Sequence, residues 1–160
     1  MRFSMQLDTI DVKILEVLQA NARVSMSEIS KRVNLSLSAV SERLKKLENS
    51  GVIEQYTAIL SSMAMQKELS VIMMISLANQ AKKANSEEFL RFVEQSDEIL
   101  ECCYITGEYD YVLKIITKNT STLESLMNTI KGMSCINRTQ TNVILNDVKK
   151  LYSVAPVAQE

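Results

Sequence analysis

The chain has 160 residues, a formal net charge of −1 and no histidine, which excludes a polycationic nucleic-acid coat and removes the commonest general base near neutral pH. Its three cysteines, Cys102, Cys103 and Cys135, lack metal-ligand spacing, and no nucleophile–base arrangement or glycine-rich phosphate loop can be read, so neither an enzyme nor a cofactor is expected. No apolar run is long enough to span a bilayer and no signal-peptide pattern is present, so a cytoplasmic protein is expected.

Leu7–Asp8 open a first helix, with Ile10, Ile14, Leu15 and Leu18 on its inner face and Asn21 near its end. Ser25 followed by Glu28 is a capping box, and Met26, Ile29 and Val33 continue from it at helical spacing. The pattern breaks at Asn34-Leu35. Ser36 is a new N-cap, Val40, Leu44 and Leu47 form a second apolar stripe, and Gly51 supplies the stop. Two short helices joined by so tight a turn must cross steeply, which is the helix-turn-helix geometry and leaves one side of the second helix exposed.

That exposed side holds the candidate DNA contacts. Ser38, Ser41, Glu42, Lys45, Lys46 and Asn49 turn outward, with Arg43 on the flank. Short hydroxyls at the helix start, Ser36, Ser38 and Ser41, approach base edges closely, and the free amides there favour a phosphate. Lys31, Arg32, Arg43, Lys45 and Lys46 are placed to neutralise phosphates nearby. An ordinary solvated helix pair is the competing reading. The first 55 residues hold 8 basic and 7 acidic side chains and the remainder 10 and 12. With so little asymmetry, DNA binding must rest on a local patch and on dimerisation.

Val52–Leu60 has the composition of a strand and is expected to serve as a wing and lead-out. Ser61–Ser70, lacking glycine and proline, reads as a linker that is not a floppy tether. After residue 70 the period changes. Val71–Leu77 is a continuous, branched apolar run and reads as a buried strand. Ser86 caps a helix carrying Phe89, Phe92 and Val93. Ile99–Thr106 and Tyr111–Thr117 are strands joined by the hairpin signal Gly107-Glu108-Tyr109-Asp110. Adjacent Cys102 and Cys103 then face opposite sides, so all three thiols are expected reduced and buried. Thr120 or Ser121 caps a helix with Leu123, Leu126, Met127 and Ile130, Gly132 closes it, and Ile136–Leu145 is a last strand. Lys149–Glu160 reads as a short extended piece and a frayed tail.

The fold class is therefore α+β: an N-terminal winged helix-turn-helix followed by a ferredoxin-like β-α-β-β-α-β sandwich. The expected divisions are a DNA-binding domain at 1–55, a strand and linker at 56–69, an α/β-sandwich domain at 70–150, to which the resemblance below assigns effector binding and oligomerisation, and a tail at 151–160. Such a sheet has both helices on one face. Val71–Leu77 and Tyr111–Thr117 are apolar at odd and even positions alike, apart from Ser76, Lys114 and Thr117. A second copy is the simplest cover for the bare face, and a homodimer with two DNA-binding heads requires a roughly palindromic operator.

Three stretches, LDTIDVKILEVLQANAR, NLSLSAVSERLKKLENSGVIEQYTAIL and ITGEYDYVLKI, in this order and spacing, closely resemble the Lrp/AsnC (feast/famine) family of transcription regulators. The resemblance covers residues 7 to 150. It implies a winged helix-turn-helix, a regulatory α/β sandwich, and dimers that assemble into tetramers, octamers or longer arrays. It also implies control of transcription by an amino acid bound between dimers. The matching effector positions are Thr106, Gly107, Glu108 and Asp110 at the hairpin, with Thr139 and Thr141 on the last strand. Asp110 suits an α-ammonium and Gly107 lets amides approach a carboxylate, although Gly107 and Asp110 also suit a plain hairpin turn. Leu37 and Ala39 stand where many relatives place proline or larger polar residues. The resemblance thus implies an amino-acid-responsive, sequence-specific regulator; the alternative is an effector-independent architectural protein that wraps or bridges DNA.

Overall fold

The computed structural model describes residues 6–78 and 86–159. The chain divides into two compact units, Met1–Ala58 with Lys149–Glu160, and Ile59–Val148.

The first unit is built from three helices: α1 (Thr9–Ala20), α2 (Met26–Val33) and α3 (Leu37–Asn49). Asp8 caps α1 in a capping box with Asp11. Ser25 and Ser36 cap α2 and α3 through hydrogen bonds from the Glu28 and Ala39 amides, both at 3.2 Å. The Glu28 carboxylate turns to Arg32 at 3.0 Å rather than back to the cap. Between α2 and α3, Asn34 adopts a left-handed conformation, φ 54°, a role its short polar side chain tolerates. At the end of α3, Gly51 has φ +74°. The amides of Gly51 and Val52 return to the carbonyls of Glu48 and Leu47, each at 3.0 Å, the Schellman pattern that satisfies the last orphan acceptors. Ile14, Ile29, Val33, Val40, Leu44 and Leu47 are buried together where the helices meet.

Two expectations are corrected here. Val52–Leu60 forms no strand. A strand needs a ladder partner for its amides and carbonyls, and the described residues of this unit supply none. Nor is the end of the chain frayed. The Gln159 amide donates to the Leu7 carbonyl at 3.0 Å, and the Gln19 side chain donates to the Val154 carbonyl at 2.7 Å.

The second unit is a four-stranded antiparallel sheet in the order β2-β3-β1-β4, formed by β1 (Leu69–Leu77), β2 (Ile99–Tyr104), β3 (Tyr111–Thr117) and β4 (Ile136–Val143). Helices α4 (Ser86–Gln95) and α5 (Thr120–Lys131) pack on one face. Phe89 of α4 and Leu123, Leu126 and Ile130 of α5 meet Val71, Met73, Ile75, Leu113 and Ile115 of the sheet. The cap of α5 is Asn119, in a capping box with Thr122, one residue ahead of the expected Thr120 or Ser121. β2 ends at Tyr104 and β4 at Val143, each two residues short of expectation. Cys102 packs toward the core and Cys135 is buried, but Cys103 is exposed because its side of the sheet carries no helix. Burial holds the Cys102 and Cys135 thiols above their ordinary pKa, which keeps them protonated and unreactive.

On the bare face the strand register aligns Ile72 with Lys114 and Asn142, and Met74 with Val112 and Gln140. Its centre is apolar and half-buried, while β4 presents Arg138, Gln140 and Asn142 to solvent and Lys114 pairs with Glu101 at 3.2 Å.

Candidate DNA interface and effector face

The interface on α3 is set by what the buried stripe leaves outside. Ser36, Leu37, Ser38, Glu42, Lys45 and Lys46 are exposed, and Ser41 is half-buried. The Ser36 and Ser38 hydroxyls lie 3.0 Å apart at the helix start, where unsatisfied amides and the helix dipole favour a phosphate. Lys31, at the end of α2, is also exposed, and among the described residues Lys31, Lys45 and Lys46 enter no ion pair. The three lysines, Ser36 and Ser38 are thus on the surface, and Ser41, expected to turn outward, is partly covered.

Two other candidates are engaged inside the unit. Arg32 is paired with Glu28 one turn earlier. The Arg43 guanidinium reaches Asp8 and Asp11, both at 2.7 Å, tying α3 to the start of α1. The hydrogen bonds that the guanidinium donates to Asp8 and Asp11 raise the Arg43 pKa. The Asp8 carboxyl is held below its usual range, first by the Asp11 amide and then by Arg43. Arg43 therefore joins α3 to the start of α1 rather than standing free for a phosphate. Leu37 stands beside Ser36 and Ser38. Its side chain is 55% exposed at the start of α3, and an apolar group there is of the kind that suits a thymine methyl.

Tyr56 anchors the segment that leaves α3. Its hydroxyl donates to Glu48 Oε1 at 3.0 Å, and burial, reinforced by that carboxylate, pushes its pKa up to about 12.

At the hairpin of the second unit, the structure separates the expected effector residues. Asp110 is spent on the fold: its Oδ2 accepts the Leu77 amide at 2.7 Å, and its own amide and carbonyl bond to Ile75 and Ile105, each at 2.8 Å. Gly107 has φ +120°, which only glycine adopts readily. Thr139 and Thr141 stand opposite Ile75 and Met73 in the register, so they face the helix side of the sheet, and the Thr141 hydroxyl is buried without a partner. The residues of β4 that meet the hairpin are one position out of phase. Arg138 forms an ion pair with Glu108 and lies 4.7 Å from the Tyr109 ring centre, while the Tyr109 hydroxyl donates to Gln140 at 2.8 Å. Thr106 is exposed at the start of the hairpin. Periodicity marks which residues share a face of β4; it does not say which face meets the hairpin.

Three helices presenting a basic, hydroxyl-rich helix, joined to a separate α/β sandwich with a charged hairpin, define a DNA-binding regulator with a sensory domain. Comparison with known proteins agrees. Residues 7–54 match the winged helix-turn-helix DNA-binding model, and residues 70–154 match the Lrp/AsnC ligand-binding domain. The chain is 37% identical over 145 residues to the leucine-responsive regulatory proteins of Haemophilus influenzae and Escherichia coli, covering 90% of this chain and 87% and 88% of theirs. Its fold superposes on a transcriptional regulator from Neisseria meningitidis solved with L-methionine, with a TM-score of 0.85, 33% identity, and coverage of 92% and 96%. It superposes also on Escherichia coli AsnC, with a TM-score of 0.84, 26% identity, and coverage of 95% and 100%. The chain belongs to the Lrp/AsnC family and is a DNA-binding transcription regulator.

Proposed function

We propose that this regulator reads a roughly palindromic operator as a dimer or higher assembly and that an amino acid bound at its hairpin adjusts DNA occupancy. The observation that carries the effector reading is the Glu108–Arg138 pair over Tyr109. It is a carboxylate beside a guanidinium on an exposed surface, 72% and 50% accessible. Such a pair is complementary to a zwitterion, with Glu108 taking the α-ammonium and Arg138 the α-carboxylate through two parallel hydrogen bonds. Asp110, engaged with Leu77, holds the hairpin in place for them. The leucine-responsive relatives and the L-methionine complex favour an aliphatic amino acid. The apolar bare face of the sheet favours a second copy as its cover.

At the DNA, Ser36, Leu37, Ser38, Ser41 and Glu42 face the bases, and Lys31, Lys45 and Lys46 face the phosphates. A thermal-unfolding screen of the protein against individual amino acids tests the effector reading. A ligand at about 100 times its Kd adds roughly 2.7 kcal/mol to the native state. One or a few aliphatic amino acids are expected to raise the midpoint, and Arg138→Ala is expected to abolish the rise. Thr139→Ala should leave it intact. A panel with no response would instead favour the effector-independent architectural protein.

A further inference from the structure

On the helix-covered side of the sandwich a cleft of about 520 Å³ opens between α4 and α5, within the range of small-molecule sites. It is remote in register from the hairpin group, whose β4 residues belong to the bare face. Phe92 and Leu126 give it an apolar wall, and Glu98, Thr122, Ser125 and Thr129 a polar one.

The polar wall offers acceptors. Ser125 and Thr129 donate their hydroxyl protons to the carbonyls of Ser121 and Ser125, at 3.1 and 3.0 Å, so their free lone pairs are what an occupant meets. The Glu98 carboxylate is set in place from beneath: the wholly buried Thr117 hydroxyl donates to Glu98 Oε1, and the Thr122 hydroxyl stands 2.6 Å behind it. Among the described residues no ion pair neutralises Glu98. The carboxyl end of α4, at Gln95 and Ser96, adds the negative pole of a helix dipole to the rim. An ammonium already docks beside this turn, where Lys67 Nζ donates to the Asp97 carbonyl at 3.0 Å.

We infer that the α4–α5 cleft is a second small-molecule site, which takes an organic cation bearing a primary ammonium on a short apolar chain. The ammonium's three donors meet Glu98, Ser125 and Thr129, and the methylenes lie along Phe92 and Leu126. The cleft lining contains no cation to receive a carboxylate, so a free α-amino acid is a poor fit and a diamine a good one. This site does not depend on the hairpin reading, and its test keeps the two apart.

The test is calorimetric titration of the full-length protein with 1,4-diaminobutane, with 1,4-butanediol as the neutral comparison. Saturable binding of the diamine alone is expected. Glu98→Gln should weaken it about tenfold or more, the scale of one lost charge-assisted bond. Ser125→Lys, on the exposed surface of α5, should do the same by supplying an ammonium of its own, and it serves if Glu98→Gln fails to fold. Arg138→Ala should bind the diamine as wild type does. Absence of saturable binding at millimolar diamine, binding by both cleft variants as tight as wild type, or loss in Arg138→Ala would each overturn the assignment.

Discussion

Single side chains divide here into those spent on the fold and those left for ligands. Arg43 and Lys45 lie two residues apart on α3, yet Arg43 is bound to Asp8 and Asp11 while Lys45 is exposed and, among the described residues, enters no ion pair. Arg43→Ala is expected to cost about 1–3 kcal/mol, because Asp11, 3% exposed, loses its charged partner. Chemical denaturation measures that loss. The Asp8 carboxyl, with its pKa lowered in the folded state, stabilises the protein at pH values above its unfolded pKa. That contribution disappears as pH falls through the folded value. Wild type should therefore lose stability in the acid range below about pH 4 more steeply than Asp8→Asn, as thermal midpoints across that range will show. Changing Lys45 and Lys46 together to Ala should weaken binding to all DNA sequences and reduce the salt slope by up to about two charges per head. Binding isotherms at several salt concentrations check this.

At the scale of elements, local chemistry decided the ends and tertiary pairing decided the faces. Ser25, Ser36 and Gly51 act within one turn of themselves, so the start of α2 and both ends of α3 were legible. Gly51→Ala is a clean probe: a Cβ there meets nothing within 4 Å, so only the positive φ opposes it, at about 1–2 kcal/mol. A drop in thermal midpoint without change in DNA sequence preference is the expected result. β4 shows the opposite case. Between Ile136 and Val143 its odd and even residues are alike polar, so composition does not reveal which set turns to the helices. Pairing with β1 places Thr139 and Thr141 inward and brings Arg138 and Gln140 to the hairpin. Val52–Leu60 likewise has the composition of a strand, but a strand exists only where another lies beside it.

For the whole molecule, the apolar bare face has the most consequence. Ile72, Met74, Val112 and Ile116 share it, and Met74→Lys is expected to shift sedimentation toward a monomer and to weaken operator binding by losing the second head. A variant that keeps the wild-type sedimentation coefficient would show that another surface joins the copies. By itself the sequence determined two units, three helices followed by β-α-β-β-α-β, and a regulator of the Lrp/AsnC type, because periodicity, caps and turns are local signals. Only the tertiary structure decided which charges remain free. Arg43 is taken by α1, Asp110 by the end of β1, and the tail by α1, through contacts with residues remote in sequence. Such pairings depend on which elements become neighbours, and no single stretch of chain encodes that.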